Sequence, residues 1–450
     1  MEPYHALNID QDKCISCSHC MKVCPTEAIR IVRGRAIMHA DHCIDCGRCY
    51  SECPSRAIYI KEDDFERIHH YAHPVALIPS VFLAQFPDEV RVSRIYAALK
   101  DLGFAHVIEV ESAAATYTKA KERYARQHPG TRPLISSFCP AIVRLIQVKY
   151  PSLTEHIMPL RAPVDICSIY ARKALEDRGI PPSQIGLFYV TPCAAKIAAV
   201  KSPVADEDIL VDGTINMDSL FNRVYHKIKE QGKDYVFPQL AAPRLSADSL
   251  LSTLNNGERR LSLAKRSFAV DGLESVMEIL DKVENDELEG VEFLELRSCT
   301  LSCAGATLSI DNRFLSSDRM YARARKTAAR ERNGEMTRDR EMDKYQSYLL
   351  GHVELEPVRA RNTLALDPDI GTALQKMERR NKLCAMLPRI DCGLCGAPTC
   401  ETLATDVVRG RACMEHCIFV QRHKEERGAL SHEAAQQRMR EVWGENRVSE

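Results

Sequence analysis

Leu134-Ile135-Ser136-Ser137-Phe138-Cys139-Pro140-Ala141-Ile142-Val143-Arg144-Leu145-Ile146 is the stretch on which the reading of the fold turns. An apolar, β-leaning run ends in two serines, and a cysteine directly precedes a proline. Proline suits the first helical position, where its missing N–H would be unpaired anyway. The spacing of Ile142, Val143, Leu145, Ile146 and Tyr150 predicts an amphipathic helix. Cys139 is therefore expected at a strand-to-helix turn, beside a helix N-terminus that favours anionic ligands. Taken alone it reads equally well as a buried structural thiol, so the rest of the chain has to decide.

Working outward, the rhythm is strand–helix–strand. Val75–Ile78 is a strand candidate, Val92–Leu99 a helix, His106–Val110 a strand, Ala113–Arg126 a helix and Leu134–Ser137 a third strand. Such alternation predicts an α/β domain with a largely parallel sheet, whose ligands gather at the carboxyl ends of strands. Ile185–Thr191 then runs into Pro192-Cys193-Ala194-Ala195-Lys196. Ser267–Val270 is a strand candidate, with a helix from Leu273 to Val283. Val291–Arg297 ends in Ser298-Cys299-Thr300-Leu301-Ser302-Cys303-Ala304-Gly305. Three separated strands thus end in cysteine. Cys139, Cys193, Cys299 and Cys303 make a candidate four-thiolate metal set, although each alone reads as a core cysteine.

Upstream, Cys14-x-x-Cys17-x-x-Cys20-x-x-x-Cys24-Pro25 returns as Cys43-x-x-Cys46-x-x-Cys49-x-x-x-Cys53-Pro54. This is the two-cluster bacterial ferredoxin pattern, in which the fourth cysteine of each run ligates the other cluster. One 4Fe-4S cluster is expected on Cys14, Cys17, Cys20 and Cys53, the other on Cys43, Cys46, Cys49 and Cys24. Zinc is the competing metal, but soft thiolates repeated at this spacing favour iron–sulfur sites. His19 and His42 read as loop residues, because the ligand count is already complete. Ile29–Val32 and Ile58–Ile60 are β-leaning, as a small α+β ferredoxin-like module over 1–62 requires. Residues 61–73 are polar and read as a solvated connector, with His69, His70 and His73 lacking a completing metal ligand.

The composition agrees. The 450 residues allow several domains, and 45% hydrophobic with 27% charged residues is globular. Lys plus Arg (61) nearly balance Asp plus Glu (62), so no charge excess points to nucleic acid. Met1–His5 has no basic, apolar leader pattern, and no apolar run reaches the roughly 18 residues of a membrane span. Nineteen clustered cysteines read as metal ligands in a reduced compartment, so the expected location is cytoplasmic, without membrane insertion.

Residues 321–375 are charged and read as a helical linker of mixed sign. A further module is expected over 376–420: Cys392-x2-Cys395-x4-Cys400-x16-Cys417. It resembles the small, mostly helical 4Fe-4S domain of corrinoid iron–sulfur proteins and of the B subunit of Rnf-type electron-transfer complexes. Gly393 and Gly396 permit close backbone approach there, and Glu401–Arg409 reads as a helix. Cys167, Cys384 and Cys413 remain and read as packing, although Cys413 sits one helical turn before Cys417 and could substitute for it. The tail, 421–450, reads either as a mobile end or as a partner-binding helix.

From the ferredoxin module to Phe314 the chain resembles the FeFe (iron-only) hydrogenases. Their large-subunit domain, here 72–320, carries T-S-C-C-P, M-P-C-x-x-K-x-x-E and E-x-M-A-C-x-x-G-C. The matching stretches are Ser136–Pro140, Thr191–Ala199 and Glu295–Cys303. The resemblance implies a two-lobed α/β core whose Cys139, Cys193, Cys299 and Cys303 hold a cubane. In the family the last of these also bridges to a two-iron subsite carrying CO and cyanide, and the counterpart of Lys196 contacts a cyanide. Lys196 is therefore a cofactor-binding candidate, the alternative being an ordinary lysine at a helix start.

The departures from the family are specific. The cysteine that passes protons in the family is Phe138 here, and a phenyl ring has no exchangeable proton. The two methionines are Thr191 and Arg297, the terminal glutamate is Ala199, and a glycine is Ser302. Arg297 adds a permanent charge. No catalytic residue is assigned. The expectation is four 4Fe-4S clusters on sixteen cysteines, with a two-iron subsite left open. The function expected is electron transfer or redox/hydrogen sensing through a redox or signalling partner protein, with impaired hydrogen turnover. The alternatives are an active hydrogenase with an altered proton path and an iron–sulfur cluster assembly factor.

Overall fold

The computed structural model describes residues 4–203, 208–231, 245–335, 341–361 and 365–445. The chain forms two compact units, Glu62–Ala360 and a second made of Met1–Lys61 with Arg361–Glu450.

In the discontinuous unit, β1 (Leu7–Ile9), β2 (Ile29–Val32), β3 (Arg35–Met38) and β4 (Ile58–Ile60) make two antiparallel pairs, β1 with β4 and β2 with β3. The two-residue turn between β2 and β3 has Arg33 and Gly34 both at positive φ, 49° and 71°, the geometry that matches strand twist in a hairpin. Helices follow at Ile370–Ala385, Cys400–Val408, Ile418–Glu426 and His432–Trp443. Three are N-capped by a side-chain oxygen: Asp369 accepts from Thr372, Thr399 from Thr402 and Ser431 from Ala434. The last helix lies within the tail and is packed inside its own unit. The amides of Arg33 and Gly34 donate to Glu441 O and Val442 O, both at 2.8 Å, satisfying carbonyls that a helix end leaves unpaired. A Cβ on Gly34 would stand 2.7 Å from Trp443 O, so only glycine allows this approach.

The continuous unit holds β5 (His73–Ile78), β6 (His106–Glu109), β7 (Leu134–Ile135), β8 (Ile185–Thr191), β9 (Gly213–Asn216), β10 (Ser267–Asp271) and β11 (Phe293–Arg297). They form two wholly parallel sheets, in the orders β6-β5-β8-β9 and β10-β11-β7. β8 is buried at every residue and β5 at all but His73, as strands covered on both faces must be. Val75, Leu77, Leu187 and Tyr189 join Tyr117, Leu134 and Phe138 in one core.

Three expectations need correction. The strand expected at Leu134–Ser137 stops at Ile135, because the Ser136 hydroxyl accepts the Phe138 N–H at 3.2 Å and turns the chain. Residues 61–73 are no solvated connector. Asp64 caps a short 3-10 helix, Phe65–His70, whose Phe65 and Ile68 point inward three residues apart. The helix Arg313–Arg332 likewise buries Met320 and Ala324, and Arg323 reaches the fully buried Glu109 with both guanidinium nitrogens, at 2.6 and 2.7 Å. Its abundant charge hides a structural strut.

Candidate metal and redox centres

A small recess is lined by Cys14, Cys17, Cys20 and Cys53, together with Ile9, Ile31 and Ala57. Positive φ at Ser16 and Ser18 curls the first loop so that successive thiols face inward, and Asp45 and Gly47 do the same in the second repeat. Burial, followed by the charges of Cys17, Cys14 and Cys53, pushes the Cys20 thiol up to about 12. Burial also raises Cys46 to about 12 and puts Cys43 and Cys49 well above the ordinary thiol value, and Cys24 contributes to all three. Cys53, the fourth cysteine of the second run, lines the recess of the first set, and Cys24 lies near the second set. Burial opposes ionisation of Cys53, but the amides of Ile58 and Ala57 and the Ser55 hydroxyl hold it below the ordinary value. The Ala28 amide donates to Cys24 Sγ, and that of Ala57 to Cys53 Sγ, both at 3.2 Å; such bonds help set a cluster's potential.

A second small recess is lined by Cys392, Cys395, Cys400 and Cys417. Gly393 and Gly396 have φ of 77° and 79°. Burial, then Cys417 and Cys392, raises Cys395 to about 11. Cys413 is not among the lining residues. Its thiol stands above the ordinary value through burial, beside Arg438 and Glu415. Cys384 packs against the local core with Leu387 and Leu403, and Cys167 contacts Val110 O at 3.3 Å and Ser112 at 3.4 Å.

In the continuous unit the two sheets bring their carboxyl ends together. β7 leads to Cys139 and β11 to Cys299 and Cys303 in one sheet, while β8 leads to Cys193 in the other. Leu308 N–H donates to Pro192 O at 2.9 Å, tying the two loops. Ser298 Oγ lies 3.5 Å from Cys139 Sγ and 3.6 Å from Cys299 Sγ. Burial raises Cys193 to about 12; the Lys196 ammonium opposes this, and Cys303 and Cys139 add to it. Cys299 stands well above the ordinary value through burial and the charges of Cys193, Cys139 and Cys303. Buried thiols that raise one another ionise together only around a cationic centre. This donor set therefore fits a thiolate-held iron–sulfur cluster, as do the two recesses.

Beside that set lies a cavity of about 120 Å³ whose walls include Phe138, Tyr189, Lys196, Ala199 and Glu111. The Phe138 ring packs against two cations, with Arg297 at 3.6 Å and Lys196 at 4.7 Å from its centroid. Burial alone would lower the Lys196 pKa, but Cys303, Tyr189 and Cys193 keep it above the ordinary lysine value. Arg297 is 2% exposed; it donates to Ser252 O at 3.2 Å and pairs with Glu295 at 3.4 Å and Glu258 at 3.6 Å. Lys121 completes this buried group, 3.7 Å from Glu258. Burial, then the Glu109 charge, raises Glu111 to about 7 while Ser80 hydrogen-bonds it. Lys121, Glu258 and Glu111 lie in no motif, and only their place in the fold reveals them.

Three family descriptions match: "Iron only hydrogenase large subunit, C-terminal domain" over residues 73–234, "4Fe-4S dicluster domain" over 6–54 and "Putative Fe-S cluster" over 387–419. The periplasmic Fe hydrogenase large subunit of Nitratidesulfovibrio vulgaris is 32% identical over 212 residues, 43% of this chain and 50% of that protein. Iron hydrogenase 1 of Clostridium pasteurianum is 27% identical over 329 residues, 65% of this chain and 54% of that protein. The chain spans about half the length of these two curated relatives. A solved structure of the FeFe-hydrogenase HydA1 from Chlamydomonas reinhardtii aligns over 64% of this chain and 94% of its own at 13% identity, with a TM-score of 0.46.

Proposed function

From a chain that is FeFe-hydrogenase-like, with ferredoxin-like and C-terminal iron–sulfur modules, we propose a protein of electron transfer or redox sensing in which the usual hydrogen-producing proton route is closed. The observation that carries this reading is the Phe138 ring packed against both Arg297 and Lys196. A proton-passing residue needs an exchangeable proton within hydrogen-bond reach of the reacting group. Phe138 has none, so no proton passes through this side chain. Each contact between a cation and the ring contributes roughly 0.5–2 kcal/mol, so the ring is held in place.

Sixteen cysteines hold four 4Fe-4S clusters in this reading: the eight of the ferredoxin repeat, Cys139, Cys193, Cys299 and Cys303, and Cys392, Cys395, Cys400 and Cys417. Bound clusters of this kind supply reversible one-electron uptake and release. The chain's residues bind them, exclude water from them and balance their charge, with Lys196 and Arg297 offsetting the buried thiolates of the core. Electrons are exchanged with a partner protein. None of the nineteen cysteines is joined in a disulfide, and among the described residues no helix is long and apolar enough to cross a membrane. We place the protein in the cytoplasm, where thiols stay reduced.

The cavity beside Lys196 supports the sensing form of this reading, because it leaves room for a group next to a buried cation. Infrared spectroscopy of anaerobically purified protein, produced with hydrogenase maturation enzymes, separates the forms. Carbonyl and cyanide bands without hydrogen turnover are expected of a sensor, and no bands of an electron carrier. Such bands together with rapid hydrogen evolution would reject the proposal in favour of an active hydrogenase. Transfer of a cluster to an apo-protein acceptor would instead point to an assembly factor.

A further inference from the structure

We propose that the C-terminal cysteine set and the first ferredoxin set are direct electron-transfer neighbours, so that electrons pass between the C-terminal end of the chain and the ferredoxin repeat. This rests on reading Cys392, Cys395, Cys400 and Cys417, and Cys14, Cys17, Cys20 and Cys53, as two four-iron sites.

The two recesses are joined by a backbone contact. Ile31 in β2 lines the recess of Cys14, Cys17, Cys20 and Cys53. Its backbone N–H donates to Gly396 O at 2.9 Å, and Gly396 directly follows Cys395, which lines the other recess. The approach is specific to glycine: a Cβ on Gly396 would meet Ile31 O at 2.3 Å, and its φ of +79° already disfavours a side chain. Earlier in the same loop, a Cβ on Gly393, next to Cys392, would come within 3.0 Å of the Met21 methyl. Met21 follows Cys20 and is fully buried. Both glycines of the C-terminal loop thus lie against the backs of first-set residues.

Three locks hold the contact. Arg30 pairs with Asp406 at 2.5 Å, with both side chains largely buried. Thr402 donates to Glu27. The Trp443 indole donates to Leu394 O at 2.8 Å, so the tail helix braces the loop between the two cysteines. Electron tunnelling decays exponentially with the gap. A route through Cys395, Gly396 and Ile31 crosses one peptide link and one hydrogen bond, then passes from the Ile31 side chain into the recess of the first set. In a transfer, one electron leaves the group held by one set, which is oxidised by one, and enters the group held by the other, which is reduced by one. No proton is required. The electron is supplied by an external one-electron carrier protein of the ferredoxin or flavodoxin class.

The test is electron paramagnetic resonance of the full-length holoprotein, fully reduced with dithionite, with iron counted on the same samples. Two variants are compared with the wild type: Cys400→Ser, which loses the C-terminal group, and Gly396→Val, which keeps every cysteine but forces the loop off Ile31. Magnetic coupling is expected in the wild type. Its ferredoxin signals should then saturate at several-fold lower microwave power in Cys400→Ser, and shift in the same direction in Gly396→Val. Full iron with signals that simply add, and saturation unchanged by either variant, would overturn the proposal. Should Cys400→Ser fail to fold, stepwise reduction of the wild type decides the question instead. The signal of the site reduced first broadens as its neighbour takes up an electron, and an unchanged line width overturns the inference. A wild-type chain lacking iron at the C-terminal set overturns instead the cofactor reading beneath it, a result distinguishable by iron count alone.

Discussion

Arg297 stands where the related motif has methionine, and its burial obliges the fold to answer a charge with charges. Glu258 and Glu295, both almost wholly buried, do so. Arg297→Met leaves two buried carboxylates facing Lys121 alone. Breaking one side of a buried ion pair costs about 3–5 kcal/mol, so the variant should unfold at markedly lower denaturant. Adding Glu258→Gln should recover much of that loss, and full additivity of the two changes would show that they do not form one network. Glu111 makes a pH prediction. Its folded value of about 7 lies above the usual 4.5, so the fold favours the neutral acid. Its stability contribution is fully present below about 4.5 and is lost as the pH rises through about 7, to the extent of about 3 kcal/mol. In Glu111→Gln the melting temperature should fall less between pH 5.5 and 8 than in the wild type; an identical fall would assign the titration elsewhere. Among single residues, Phe138 and Arg297 were legible because a motif frames them. Glu111 and Glu258 were not, since nothing local distinguishes a buried glutamate from a solvated one.

Elements were readable where burial is two-sided. The continuous apolar runs of β5 and β8 announced parallel strands, and Pro140 announced its helix. β9, only Gly213–Asn216, carries no periodic signal and went unseen. The charge-rich stretches misled for one physical reason: an amphipathic helix such as Arg313–Arg332 needs only a few inward positions, and Arg323 spends its charge on an interior partner. The tail was similarly ambiguous, because capping of its helix by the β2–β3 turn is a long-range contact. Removing residues 431–450 should expose the Arg33 and Gly34 amides. Hydrogen exchange at those two amides should then quicken by orders of magnitude, whereas unchanged protection would mean that the tail helix does not hold them.

Across the whole molecule, the cysteine spacings showed how many sites to expect, and strand-end positions showed how the core set converges. What linear order concealed is that the N- and C-terminal modules form one unit and the continuous middle the other. Spacing reports ligands within a loop, whereas docking between modules depends on glycines such as Gly396 meeting a distant backbone. With Phe138 in place of a proton-passing thiol, this hydrogenase-like chain should carry electrons without the usual proton route to hydrogen. Protein-film voltammetry of matured, anaerobic protein with about sixteen irons per chain puts that proposal to the test. Reversible one-electron waves are expected, with no catalytic current under hydrogen or at acidic pH. A sustained catalytic current in either direction would refute it.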